Sequence, residues 1–172
     1  MKYAKILVPV VNTETNKEAL NIACELAKAS QGQIYILNVI SVSRDKPLDY
    51  DMNDEIVKAE KMLGELEDYC KKNGCEDVRT EFLQARDPGS AIIEDSVDKA
   101  VDLVMLSMDH KRRFGEFSFG YVMPYVMHHS PCPVLLFHNN NFQTQDNEQR
   151  HHEHFGNFKE YDGFDQSTDW SQ

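Results

Sequence analysis

A chain of 172 residues with a formal charge of −11 has room for one core-bearing domain plus an appendage, and too little for two ordinary domains. Its acidic balance excludes nucleic acid as the default partner, because that affinity comes from clustered Lys and Arg. No run of about eighteen apolar residues is present and Met1 to Ile6 lacks the charged-then-apolar build of a secretory leader, so the expectation is a cytoplasmic protein with no membrane partner.

Lys5 to Val11, KILVPVV, and Gln33 to Ile40, QIYILNVI, are nearly continuous apolar runs of strand length, as parallel strands covered on both faces require. Between them Thr15-Asn16-Lys17-Glu18 resembles a capping box, and Ala19, Ala23, Cys24 and Ala27 recur at helical spacing until Gly32. The unit is strand, helix, strand, with a right-handed crossover expected. Ser41 to Asp51 is polar and contains Pro47, which predicts a loop into a second helix over Met52 to Asn73. Ile56, Met62 or Leu63, Leu66 and Tyr69 form that helix's apolar stripe, and Gly74 suits its C-terminal cap. Asp77 to Gln84 is a third strand of edge character, and Asp87-Pro88-Gly89 turns into a short helix through Ile92, Ile93 and Val97. Val101 to Ser107 is a fourth strand, a helix over Ser118 to His129 follows, and Cys132-Pro133-Val134-Leu135-Leu136 opens a fifth. Strands alternating with helices specify a doubly wound α/β sheet.

Composition changes after Phe137. Residues 139–172 have no helix or strand period and few aliphatic side chains, so a disordered tail is expected. Its spaced aromatics, Phe142, Phe155, Phe158, Tyr161, Phe164 and Trp170, suit a segment that docks on a protein partner as well as a featureless solvated tail, and both readings stay open. His151-His152-Glu153-His154 is the one metal-like cluster, but irregular backbone gives it no preorganised shell, so no metal site is expected. Cys24, Cys70, Cys75 and Cys132 sit singly in regular patterns, which predicts reduced, mostly buried thiols.

The pieces ILVPV, Leu37-Asn38-Val39, Asp87-Pro88, DLVML, Gly120-x-Val122, His129 and CPVLLF, in this order over residues 1–138, resemble the universal stress protein family. The resemblance implies a five-stranded parallel, Rossmann-like sheet of order 3-2-1-4-5, with strands 1 and 4 flanking the reversal of winding where such sheets bind ligands. A site is then expected among Pro9 to Thr13, Val39 to Ser41 and Ser107 to Met123.

In nucleotide-binding members of that family a Gly-x2-Gly-x9-Gly-Ser/Thr loop holds the phosphates of ATP. An Asp ending the first strand contacts the adenosine, and a Val ending the second lines the base pocket. Pro9, Val39, Gly120 and Val122 match. Val11 stands in place of the Asp, Ser107 and His110 in place of the first two glycines, and Tyr121 in place of the Ser or Thr. Glycines serve there because backbone N–H groups must approach phosphate without a Cβ in the way. The expectation is that no cofactor is required and that ATP, or another adenine nucleotide, is not bound in the usual mode.

A rival reading gives the loop another ligand: Lys111, Arg112 and Arg113 neutralise a phosphate while His110 and Tyr121 donate hydrogen bonds. The plainer alternative is a solvated basic loop. His128-His129 lacks a nucleophile and an orienting carboxylate that sequence can place beside it, and the resemblance implies a structural His there, so no enzymatic activity is expected. The resemblance also implies a homodimer in which the last strand, with Val134, Leu135, Leu136 and Phe137, pairs with its copy across a two-fold axis. The function expected is stress adaptation through binding, with two alternatives: an adenine-nucleotide or anion sensor, and an adaptor that recruits a partner through its tail.

Overall fold

Apolar runs of strand length become the middle of a sheet. The computed structural model describes residues 3–11, 13–48, 50–108, 112–113, 116–117 and 120–138. In chain order these form β1 (Lys5–Val10), α1 (Thr13–Ser30), β2 (Gln33–Ser41), α2 (Asn53–Lys72), β3 (Val78–Ala85) and α3 (Pro88–Asp98). Then come β4 (Leu103–Met108), β5 (Arg112–Arg113), β6 (Glu116–Phe117), α4 (Val122–His129) and β7 (Val134–His138). The main sheet has five strands in the order β3-β2-β1-β4-β7, all parallel, as the resemblance implied.

The two-residue period of the central strands divides one sheet between two cores. Ile6, Val8, Ile34, Ile36 and Met105 face α1 and α2, where Ala19, Leu20, Ala23, Leu63 and Leu66 meet them. Leu7, Leu37, Val104 and Leu106 face the other way, against Ile92 of α3 and Val126 of α4. Full burial of each such aliphatic side chain contributes about 1.5–3 kcal/mol. Asp102 ties the start of β4 to the start of β1, since its Oδ2 accepts the backbone N–H groups of Ala4 at 3.0 Å and Lys5 at 2.9 Å.

Three local expectations shift. Helix α1 begins at Thr13, so Thr15 lies within its first turn instead of capping it. Helix α4 is described from Val122 rather than Ser118. The stretch read as an unbroken loop contains a short antiparallel ladder, Arg112 opposite Phe117 and Arg113 opposite Glu116; two-residue strands carry no detectable period. The tail, residues 139–172, with its aromatics and His151-His152-Glu153-His154, lies outside the described residues.

Candidate functional site at the carboxyl end of the sheet

Strands β1 and β4 are neighbours in the sheet while α1 and α4 leave toward opposite faces. This is the switch point, and in open α/β sheets ligands bind there, in the crevice beyond the carboxyl ends of the strands. Its floor is held by buried amides and a hydroxyl. Asn38, on β2, donates from Nδ2 to the carbonyl of Val10 at 2.9 Å, which fixes the last residue of β1. Ser107, on β4, donates its hydroxyl to Oδ1 of Asn16 on α1, and both side chains are buried.

The residues expected at the site divide into three groups. Val39 and Val122 pack, half-buried, against the same apolar cluster, and half-buried Pro9 pairs in register with Leu37. Val11 and Tyr121 are 76% and 57% exposed, so both present large side chains to solvent at the cleft. His110 and Lys111 lie outside the described residues, as do the side chains of Arg112 and Arg113, whose backbone forms β5.

Gly120 has φ +61 and open space around the position of an added Cβ, so the left-handed conformation, and not crowding, is what calls for glycine there. Tyr121 is the N-cap of α4 and makes no side-chain capping bond. Its phenol is raised from the ordinary value by partial burial of the ring and by the charge of Asp87. That Asp caps α3, accepting the N–H of Ser90 at 3.0 Å. A Cβ on Gly89 would meet Tyr125 Cδ1 at 2.8 Å, so a glycine lets α3 and α4 close on each other beside the cleft. His129 stacks on Tyr125 with ring centroids 4.1 Å apart, and its Nδ1 lies 2.9 Å from the Tyr125 carbonyl oxygen.

Sequence patterns alone gave Asn16 and Asn38 no side-chain role in the site. Asn38 leaves one signal, an amide within the run Ile34 to Ile40 that holds no other amide or charge; the part played by Asn16 depends on a partner 91 residues away. Among the described residues no group of three or more His, Cys, Asp or Glu could hold a metal ion, and no helix is long and apolar enough to cross a membrane.

The universal stress protein family model matches residues 2–138. The chain belongs to the universal stress protein family. A universal stress protein of Methanocaldococcus jannaschii is 26% identical over 140 residues, 78% of this chain and 81% of that one. Among solved structures, the universal stress protein UspA of Lactobacillus plantarum superposes with a TM-score of 0.66 at 20% identity, covering 80% of this chain and 99% of the other. The universal stress protein of Archaeoglobus fulgidus in complex with dAMP superposes with a TM-score of 0.62 at 17% identity, covering 79% and 98%. At these identities the two structures establish the universal stress protein fold and no more.

Proposed function

We propose that this universal stress protein works in the cytoplasm as a non-enzymatic homodimer in stress adaptation, through binding, and that it does not hold ATP in the manner usual for its family. One observation carries the reading: the buried Ser107 side chain, bonded to Asn16, stands where a glycine would let phosphate reach the backbone. Exposed Val11, at the end of β1, adds to it, since an isopropyl group accepts no hydrogen bond from an adenosine. Losing a hydrogen bond to a charged group typically costs about 1.5–3 kcal/mol, and several contacts change together. The Ser107 hydroxyl is also a poor nucleophile, because its partner is an amide oxygen and cannot serve as a general base. Calorimetric titration with ATP and Mg²⁺ tests this; heat fitting a micromolar or tighter site would overturn it.

A second reading, a sensor of adenine nucleotides or of another anion, is favoured by Gly120. It keeps positive φ ahead of α4, the conformation that suits backbone donors at a helix N-terminus, and the related fold from A. fulgidus holds dAMP. Native mass spectrometry of protein purified from cells separates the two, because a retained nucleotide-sized mass supports the sensor. The adaptor reading rests on residues 139–172 and is tested by their removal.

A further inference from the structure

A separate cleft of about 220 Å³ lies between α3 and the β2–β3 side of the sheet, lined by Tyr35, Arg79, Glu81, Asp95 and Lys99 among others. It is unconnected with the carboxyl-end site: Tyr35 and Arg79 sit near the starts of their strands, and Asp95 and Lys99 at the C-terminal end of α3.

The charges there are only partly matched. Lys99 Nζ bonds Oδ1 of Asp95 and lies 2.7 Å from Oε2 of Glu81, and it stands 5.7 Å from the centre of the Tyr35 ring. One ammonium therefore serves two carboxylates. The Asp95 side chain is only 7% exposed, yet its Oδ2 is buried without a hydrogen-bond partner. Burying such an acceptor unsatisfied is costly, because it loses its hydration and gains nothing in return. Burial also raises the Asp95 carboxyl above its ordinary range, against the lowering effect of Lys99. Arg79, exposed on β3 directly across from Tyr35 in the strand register, makes no ion pair among the described residues.

Asp95, which lines the cleft, thus carries a carboxylate oxygen in need of a donor, and Arg79 adds a guanidinium with no ion pair among the described residues. From this geometry we infer that it binds a small zwitterion of the α-amino-acid class, with the ammonium on Asp95 and the carboxylate on Arg79. Such a molecule carries both groups on one carbon, and the Tyr35 ring supplies a face for its side chain or its cation. Sites for drug-sized ligands run about 300–1,000 Å³, so a cleft of 220 Å³ suits a smaller metabolite. A water molecule could satisfy Oδ2 alone, but it would leave the guanidinium of Arg79 without its anion.

The test is an amide chemical-shift titration of the full-length chain with glycine and L-serine as probes, and methylammonium and acetate as single-charge controls. Saturable shifts at Tyr35, Arg79, Glu81 and Lys99 are expected, at least tenfold tighter for the amino acids than for either control. Asp95→Asn and Arg79→Ala are each expected to weaken glycine at least tenfold. Arg79 is exposed, so its variant reports on binding even if Asp95→Asn perturbs folding. No saturable shift with either amino acid, methylammonium binding as well as glycine, or glycine binding unchanged in Arg79→Ala would each overturn the assignment. Because the carboxyl-end cleft takes no part, ATP titration can fail or succeed independently.

Discussion

Ser107 gives its hydroxyl to Asn16, and this one bond joins β4 to α1 across 91 residues of sequence. Both side chains are buried, so the bond forms away from the competition of water. Ser107→Ala should lower stability by about 1–3 kcal/mol, the penalty for leaving a buried polar group short of a partner. Urea unfolding checks this, with a lower midpoint and an unchanged slope. An unchanged midpoint would mean that water replaces the hydroxyl at no cost.

At the carboxyl end of the sheet, the combined change Val11→Asp, Ser107→Gly, His110→Gly and Tyr121→Ser should tighten ATP binding at least tenfold over the natural chain, about 1.4 kcal/mol. Calorimetry on the two proteins side by side measures the difference. No improvement would mean that the backbone from Ser107 to Gly120 does not follow the path the family uses. Should a phosphate-bearing ligand be found instead, Lys111, Arg112 and Arg113 changed together to Ala should weaken it at least tenfold, and added salt should weaken the natural chain's binding.

The thiols should report burial directly. Cys24 on α1, Cys70 on α2 and Cys75 just past α2 are buried in one cluster, whereas Cys132 is partly exposed. The hydrogen bond with Cys24 and then burial raise the Cys70 thiol, and burial foremost pushes Cys75 up to about 11, whereas the hydrogen bond with Cys70 lowers Cys24 to about 7, so burial alone shields that thiol. A thiol reagent at neutral pH should modify Cys132 rapidly and the other three only on unfolding. Intact-mass analysis showing fast addition of more than one label would contradict this.

Asp95 sets a direction in pH. Its folded pKa is raised above the ordinary 3.8 by burial, so the folded chain holds this proton more tightly than the unfolded one. The group's contribution to stability is therefore complete below its unfolded pKa and is lost as pH rises through the folded value. Asp95→Asn removes that loss, so the difference in urea midpoint should move in favour of the variant as pH climbs from below 3.8 toward neutrality. A difference that is flat with pH would show that Lys99 fully compensates the buried charge.

The proposed dimer turns on β7, which among the described residues pairs only with β4 and ends the sheet on that side. Val134 and Leu136 pack on the core beneath α3 and α4, while Leu135 and Phe137 pack on the core beneath α1 and α2. Both faces are thus engaged within the chain, yet all five residues of β7 stay partly exposed, so a second copy would meet the backbone edge together with these side chains. A chain ending at Asn139 should remain a dimer by light scattering, and Leu136→Pro should give monomer or aggregate. A natural chain that is monomeric at tens of micromolar, an ordinary concentration for such linkage, would rule out the β7 dimer.

The central fold was legible because two-sided burial writes itself into sequence as apolar runs: KILVPVV and QIYILNVI are β1 and β2 almost residue for residue. Strand order came from family resemblance, since periodicity says nothing about neighbours. What stayed hidden depends on contacts between distant segments. Asp95 in IIEDSVDK reads as one more acid on a helix surface, and only its position over β2 and β3 buries it. Asn16 looked like part of a cap because its use requires β4, and β5 with β6 is too short for any pattern.

One last arrangement concerns the rim of the carboxyl end. Arg86, just past β3, reaches back to the carbonyls of Ser43, Arg44 and Lys46 at 3.5, 3.2 and 3.1 Å, pinning the segment that follows β2. The residue after the outermost strand thereby ties that segment to the edge of the sheet. A lysine in its place, a single point charge on a flexible stem, could not span three carbonyls. The segment leaving the carboxyl end of β2 is thus held by a residue that is not among those assigned to the site, so a change at Arg86 would reach that segment without altering any residue of the site itself.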